Sequence, residues 1–144
     1  MEDLIDSART KHGTLLFPKY DIGVGDGLRE YGEFSELELI VMLNFIRKGD
    51  CVIDIGANIG AFTVPLAKKV GIEGKVYGFE PQKFIYKILE KNINNNRLDN
   101  VRIFNYGLGS YNYNITLNNF DYSKLGCFGG IGFTKKYDNS FSAK

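Results

Sequence analysis

The sequence is poor in the residues that build metal centres and disulfide scaffolds. It has one histidine, two cysteines, three prolines and no tryptophan among 144 residues. His12 lies in a polar N-terminal region, so we expect a surface histidine and no histidine-based catalytic or metal site. Cys51 opens an apolar segment, and neither it nor Cys127 belongs to a C-x-x-C pair. We therefore expect a buried free thiol at Cys51 and no bound metal.

Long apolar runs and an excess of charge are also missing. No run approaches the roughly 18 apolar residues of a membrane-spanning helix. The net charge is only +1, which gives no electrostatic reason to expect a nucleic-acid or membrane partner. The N-terminus is acidic and does not have the basic-then-apolar form of a signal peptide. These features favour a cytoplasmic protein.

The first third of the chain predicts a small extension followed by a helix. Residues 1–12 are mixed and charged and predict a short frayed helix, whereas 14–18 predict an extended segment because Pro18 disfavours helix before it. The glycine-dense stretch 21–27 predicts a turn. We expect a short β-hairpin or loop here. A helix then begins at Ser35, and its spacing predicts an apolar face formed by Leu37, Ile40, Val41 and Phe45 and broadened by Leu39, Leu43 and Ile46.

The middle of the chain has the pattern β-α-β-α-β. The predicted strands are 51–55, 75–80 and 101–105, and the predicted helices are 61–70 and one that begins at Pro81. Such units form a parallel sheet with ligands at the carboxyl ends of its strands. Beyond it, 111–117 alternates and predicts an antiparallel strand, and the tail is polar and rich in glycine. The predicted divisions are an extension (1–34), a Rossmann-like α/β core (35–110) and a strand with its tail (111–144).

The strand-to-helix junction at 51–60 has the form of a cofactor site. Gly56 and Gly60 allow close approach of a ligand to the backbone. Asp54 can bind an ammonium group directly or through water, and Glu80, at the end of the next strand, can accept both hydroxyls of a ribose. Asn58 can cap the following helix or bond the cofactor. The tight middle glycine of the dinucleotide pattern G-x-G-x-x-G is absent, which favours S-adenosylmethionine over NAD.

The segments 48–60 and 74–81 resemble the two cofactor motifs of the FkbM family of S-adenosylmethionine-dependent methyltransferases, and the similarity extends over about 14–110. The resemblance implies a class I methyltransferase fold and methyl transfer to oxygen, with a small molecule or glycan as the acceptor. It also implies a set of cofactor-binding residues: Asp54, Gly56, Ala57, Asn58, Gly60, Glu80, Pro81, Tyr106, Gly107 and, at the mouth of the site, Glu36. No catalytic base is assigned.

The family's fourth strand, with its Asp-x-Glu-Gly segment, has no counterpart after residue 110. We therefore expect a truncated and weakly active methyltransferase, the N-terminal half of the sheet, whose first core strand is left at an edge. Either the strand expected at 111–117 or another chain, a second copy or a partner, is expected to cover that edge. An alternative function is a non-catalytic S-adenosylmethionine-binding or assembly module that completes its fold with a partner, and a third is an NAD-binding oxidoreductase domain.

Overall fold

A computed structural model describes residues 2–111, 117 and 120–130. Most of the strand expected at 111–117 and the end of the expected tail lie outside these residues. A short 3-10 helix covers Glu2–Leu4. The strands are β1 (Ile5–Thr10), β2 (Gly13–Pro18), β3 (Cys51–Ile55), β4 (Lys75–Phe79) and β5 (Val101–Phe104), and the helices are α1 (Val24–Tyr31), α2 (Glu36–Phe45), α3 (Thr63–Val70) and α4 (Lys83–Asn95).

The N-terminal segment is an antiparallel hairpin of β1 and β2. A hairpin is present as expected, but it is formed by residues 5–18 and not by 14–27, and the helix expected over 1–12 is wrong because residues 5–10 pair with β2. The hairpin is not a separate unit, since Leu15 and Phe17 are buried in the same apolar cluster as Ile88 of α4. The hairpin thus brings residues from the start of the chain onto the core.

The turn expected at 21–27 is wrong beyond its first residues, because α1 begins at Val24. Asp21 explains why a glycine-rich segment is helical here. Its buried carboxylate accepts hydrogen bonds from the backbone N–H groups of Gly23 (3.0 Å) and Gly25 (3.1 Å). These groups at the start of a helix otherwise have no partner, so a tertiary side-chain contact overrides the low helix propensity of glycine.

Helix α2 forms where the sequence predicts it, but the centre of the expected apolar face is wrong. Leu37 and Phe45 are 80% and 81% exposed, and Ile40 and Val41 are also exposed. The residues expected to broaden the face pack on the protein instead: Leu39 is buried, and Leu43 and Ile46 are half-buried. The helix is apolar on nearly every side, so periodicity could not identify the face that packs on the protein.

The three core strands form a parallel sheet in the order β3-β4-β5, as the sequence predicts. Pro65 lies in the first turn of α3, where the missing N–H costs little. Pro81 precedes the first residue of α4 by two positions, so the helix start expected there is displaced. Among the described strands β3 is an edge, and its Cys51 is exposed. The buried thiol expected at Cys51 is therefore wrong, because no strand of the described residues pairs with the open side of β3.

A buried side chain, Asn92 of α4, joins the hairpin to the turn after β3. Its Nδ2 donates to the carbonyl oxygens of Leu16 (2.8 Å) and Ile59 (2.8 Å), and its Oδ1 accepts from Leu16 N–H (2.7 Å). The fold therefore positions the turn after β3 partly through a polar group in the core. Among the residues that the structure describes, no helix combines the length and apolar character required to cross a membrane.

Candidate functional site

A pocket of about 540 Å³ opens at the carboxyl ends of β3 and β4. This volume is in the usual range for small-molecule sites. Its lining combines strand ends, the start of α1 and residues close to the end of the described chain: Gly23, Val24, Phe34, Asp54, Ile55, Gly56, Ala57, Asn58, Ala61, Phe62, Phe79, Glu80, Pro81, Gln82, Tyr106, Gly107, Leu108, Cys127, Gly129 and Gly130.

Asp54, at the end of β3, presents one carboxylate oxygen to the protein and leaves the other available. Its Oδ2 accepts a hydrogen bond from Thr63 Oγ1 at 2.6 Å. Burial raises the pKa of the Asp54 carboxyl above its usual value, and the hydrogen bond from Thr63 opposes this rise. A cationic ligand group would stabilise the ionised form of this acid.

The turn after Asp54 is held by the backbone of the next strand. The N–H groups of Gly56 and Ala57 both donate to Phe79 O at 2.9 Å. Gly56 has φ +81°, a conformation that favours glycine, and an added Cβ would meet no protein atom within 4 Å. A side chain at Gly56 would instead take up space in the pocket that this residue lines.

Glu80 directly follows β4, and its carboxylate holds the turn after β3 by a hydrogen bond to the backbone. Its Oε2 accepts from Asn58 N–H at 2.9 Å and its Oε1 from Gln82 N–H at 2.8 Å. The side chain is almost fully buried. Burial raises the pKa of the Glu80 carboxyl, hydrogen bonds from Gln82 and Asn58 oppose the rise, and the charge of Asp54 adds to it. The two acids therefore share one electrostatic environment.

Aromatic rings form a continuous row beside the pocket. The rings of Phe79 and Phe104 stack with centroids 5.0 Å apart, and Phe104 and Tyr106 lie 6.4 Å apart. Tyr106 is 66% exposed and lines the pocket with Gly107. An exposed aromatic face at a pocket wall can stack on a flat ring of a ligand.

The structure brings most of the sequence-predicted site residues together, with two exceptions. Gly60 does not line the pocket; a Cβ there would lie 2.8 Å from Leu89 Cδ1, so glycine at this position permits close packing with α4. Glu36 is also elsewhere. Its carboxylate oxygens lie 3.0 and 3.1 Å from His12 Nε2, so the expected surface histidine is half-buried and paired with a carboxylate. The expected place of Glu36 at the pocket mouth is corrected accordingly, and Phe34 lines the pocket instead.

Several residues that line the pocket or bond to its lining were missed by sequence reasoning. Thr63 does not line the pocket but donates to Asp54, and it had a detectable signal, because a hydroxyl near the start of α3 lies within reach of the preceding strand end. Gln82 could have been suspected from its place two residues after Glu80. Cys127 and Gly129 gave no signal, since only the folded chain brings Cys127 beside Gly23 and Gly129 beside Asn58.

Comparisons with known proteins agree with this geometry. A family model described as the methyltransferase FkbM domain matches residues 54–140, which is more than half of the chain. Trm5b from Pyrococcus abyssi is 23% identical, with a TM-score of 0.55 over 69% of this chain and 27% of its own. The protein PH0793 from Pyrococcus horikoshii is 18% identical, with a TM-score of 0.53 over 73% and 37% of the two chains.

At this level of identity the two structural matches support the fold alone, a partial Rossmann-like sheet. The chain spans 27% and 37% of the lengths of these two proteins.

Proposed function

Since this chain belongs to the FkbM family of methyltransferases, we propose that its pocket binds the family's cofactor, S-adenosylmethionine, and that the protein transfers a methyl group to a hydroxyl oxygen of a small molecule or sugar. The observation that carries the proposal is the pairing of Asp54 and Glu80 across one pocket, at the ends of adjacent parallel strands. In open α/β sheets this is where nucleotide ligands bind.

The donor and acceptor groups of the pocket fit this cofactor. A carboxylate offers about four acceptor positions, and the protein uses two on Glu80. The remaining two suit the pair of ribose hydroxyls. Asp54 Oδ1 suits the ammonium of the methionine part, and the exposed face of Tyr106 suits the adenine ring. The space above Gly56 leaves room for the ligand beside the backbone.

When bound, S-adenosylmethionine supplies a methyl group on a positively charged sulfur, which is already a good leaving group. The residues of this chain then act mainly by positioning. Thr63 orients Asp54 through its hydroxyl, and the N–H groups of Asn58 and Gln82 orient Glu80. The acceptor oxygen gains the methyl group and loses its proton, for which no described side chain is assigned.

The charges in the pocket favour an uncharged acceptor. Asp54 and Glu80 are the only charged side chains among the described residues that line it. A phosphate or carboxylate on the acceptor would be repelled and would find no cationic partner there. Methyl transfer from labelled S-adenosylmethionine should therefore favour neutral polyols and sugars over their phosphates, and a preference for anionic acceptors would contradict this part of the proposal.

Replacing Asp54 with asparagine should separate stability from binding. Asparagine can still accept the bond from Thr63, but it removes a buried charge whose ionisation is unfavourable in the ligand-free protein. We expect a higher melting temperature without ligand. Loss of one charge-assisted hydrogen bond, worth about 1.5–3 kcal/mol, should weaken S-adenosylhomocysteine binding roughly 10- to 150-fold. Calorimetry and thermal melting measure both, with the exposed Asp99→Asn as the matched control.

The pH dependence provides an independent check. Because the pKa of Asp54 is raised in the folded state, protonation of Asp54 favours folding. This stabilisation of the folded state is fully present below the usual carboxyl pKa and is lost as the pH rises through the raised pKa. The difference in melting temperature between Asp54→Asn and the unsubstituted protein should be largest at neutral pH and should shrink on acidification. An equal difference at every pH would contradict the assignment.

A second candidate function is an assembly module, favoured by the open face of the sheet. Ile53 and Ile55 are 60% and 66% exposed, and the register places Ile55 beside Phe79 and Phe104 on one face. An apolar edge strand of this kind is a template for pairing. We propose that another polypeptide adds a strand to β3 at this edge.

In the absence of another protein, the open edge should make the purified chain self-associate. Light scattering after size exclusion should show a mass that increases with concentration, and Ile53→Lys should suppress the increase because it places a charge on the edge strand. Ile72→Lys is the control, since Ile72 is 88% exposed in the loop before β4. A monomer at all concentrations would count against the assembly module.

A further inference from the structure

A short segment near the end of the described chain folds back across the core, and we refer to residues 120–130 as the strap. Gly126 forms a parallel bridge with Asp21. Gly126 N–H donates to Tyr20 O (3.0 Å), and Ile22 N–H donates to Gly126 O (3.1 Å). Phe128 is buried in the main apolar cluster. The strap is therefore packed on the protein by both backbone and side-chain contacts.

The strap forms one wall of the pocket. Cys127, Gly129 and Gly130 line it. A Cβ at Gly129 would lie 2.5 Å from Asn58 Nδ2 and 3.3 Å from Val24 Cγ2. The strap therefore contacts Asn58 in the turn after β3. The backbone N–H of the same residue donates to Glu80.

Gln82 connects the strap to the acid at the end of β4. Its side-chain Nε2 donates to Phe128 O at 2.9 Å, and its Oε1 accepts from Tyr122 Oη at 3.1 Å. Its backbone N–H donates to Glu80 Oε1 at 2.8 Å. One residue thus holds the strap with its side chain and Glu80 with its main chain.

The environment of Tyr122 keeps its hydroxyl available as a donor. Its ring stacks on Phe84 with centroids 4.2 Å apart and lies 4.7 Å from Phe128. Burial, reinforced by the charge of Glu80, raises the pKa of Tyr122 to about 12. The phenol is protonated at neutral pH, and it donates to Gln82 Oε1 while Gln82 Nε2 donates to Phe128 O.

From this geometry we propose that the strap is a ligand-coupled wall of the pocket and that Gln82 is the positioning residue that couples it to Glu80. Gln82 holds both the strap against the core and the Glu80 carboxylate at the pocket. Each of these two contacts therefore stabilises the other. Coupling of this kind is reciprocal: ligand binding must stabilise the strap by the same factor by which strap closure strengthens ligand binding. The identity of the ligand rests on the proposed function.

Hydrogen exchange with and without S-adenosylhomocysteine tests the coupling. The reporter is the Gly126 amide, which is bonded to Tyr20 O, and the reference is the Val76 amide, which is bonded to Asn100 O in the sheet. In the unsubstituted protein the ligand should slow exchange at Gly126 more than at Val76. Gln82→Leu removes both side-chain bonds and keeps the main-chain bond to Glu80. It should accelerate exchange at Gly126, abolish the protection by ligand and weaken binding about tenfold, the loss expected for one to two neutral hydrogen bonds.

Tyr122→Phe provides a second variant that removes only the hydroxyl. As a single substitution it should weaken binding of S-adenosylhomocysteine. Added to Gln82→Leu it should cause no further loss of affinity, because the bond between Tyr122 and Gln82 is already lost in that variant. If the unsubstituted protein binds S-adenosylhomocysteine without protection of Gly126, or if both variants bind as tightly as it does, the strap proposal fails and the proposed function stands. If the unsubstituted, folded protein does not bind this ligand, both fail.

Discussion

Glu80→Ala is expected to reduce the affinity for S-adenosylhomocysteine by at least a hundredfold. The substitution removes the acceptors of the two ribose hydroxyls, and charge-assisted hydrogen bonds contribute about 1.5–3 kcal/mol each. It also leaves the N–H groups of Asn58 and Gln82 without their carboxylate partner, so the loop that faces the ligand is less well held. Isothermal titration calorimetry measures the loss.

Two further variants make this result interpretable. Glu80→Gln keeps the size of the side chain but places an NH₂ group against the N–H of Asn58 or Gln82, so we expect weaker binding here as well. Glu90→Ala removes an exposed glutamate of α4 and should leave binding unchanged. Tight binding by a folded Glu80→Ala would remove Glu80 from the site.

The largest effect on stability is expected for Asn92→Leu. Leucine has a similar size but leaves Leu16 N–H and the carbonyls of Leu16 and Ile59 without their side-chain partner. Each unsatisfied buried group costs about 1–3 kcal/mol, so for three groups we expect a loss of about 3–9 kcal/mol in the free energy of unfolding. This is a large share of the roughly 5–15 kcal/mol that stabilises a typical domain.

Urea denaturation followed by circular dichroism measures this loss. Asn94→Leu is the matched control, because Asn94 lies on the same helix and is exposed, and surface substitutions usually change stability by no more than about 0.5 kcal/mol. A change of less than about 1 kcal/mol for Asn92→Leu would mean that the hairpin and the turn after β3 are held by other contacts.

The parts of the fold that the sequence predicts are those set by local pattern. The β-α-β-α-β order follows from short apolar runs separated by amphipathic segments. Asp54 and Glu80 could be placed in one site because adjacent parallel strands end at the same edge of the sheet. That inference requires no knowledge of side-chain packing.

The parts that the sequence does not predict depend on contacts between distant segments. The bond between Gln82 and Phe128 joins residues 46 positions apart, and the helix after Asp21 forms because a buried carboxylate satisfies its first N–H groups. Glu36 resembled a site residue by its position, yet its carboxylate pairs with His12. Periodicity and motif spacing contain none of this information.

The pocket between Asp54 and Glu80 should bind S-adenosylmethionine in preference to a dinucleotide, and the affinities of two competing ligands can establish this. Both carboxylates should favour a ligand with an ammonium group and disfavour a pyrophosphate, for which the described lining has no cationic partner. Calorimetric titration of the 144-residue chain should show one S-adenosylhomocysteine bound per chain and at least tenfold weaker binding of NAD. Equal or tighter binding of NAD, or no binding of S-adenosylhomocysteine by the folded protein, would contradict the claim.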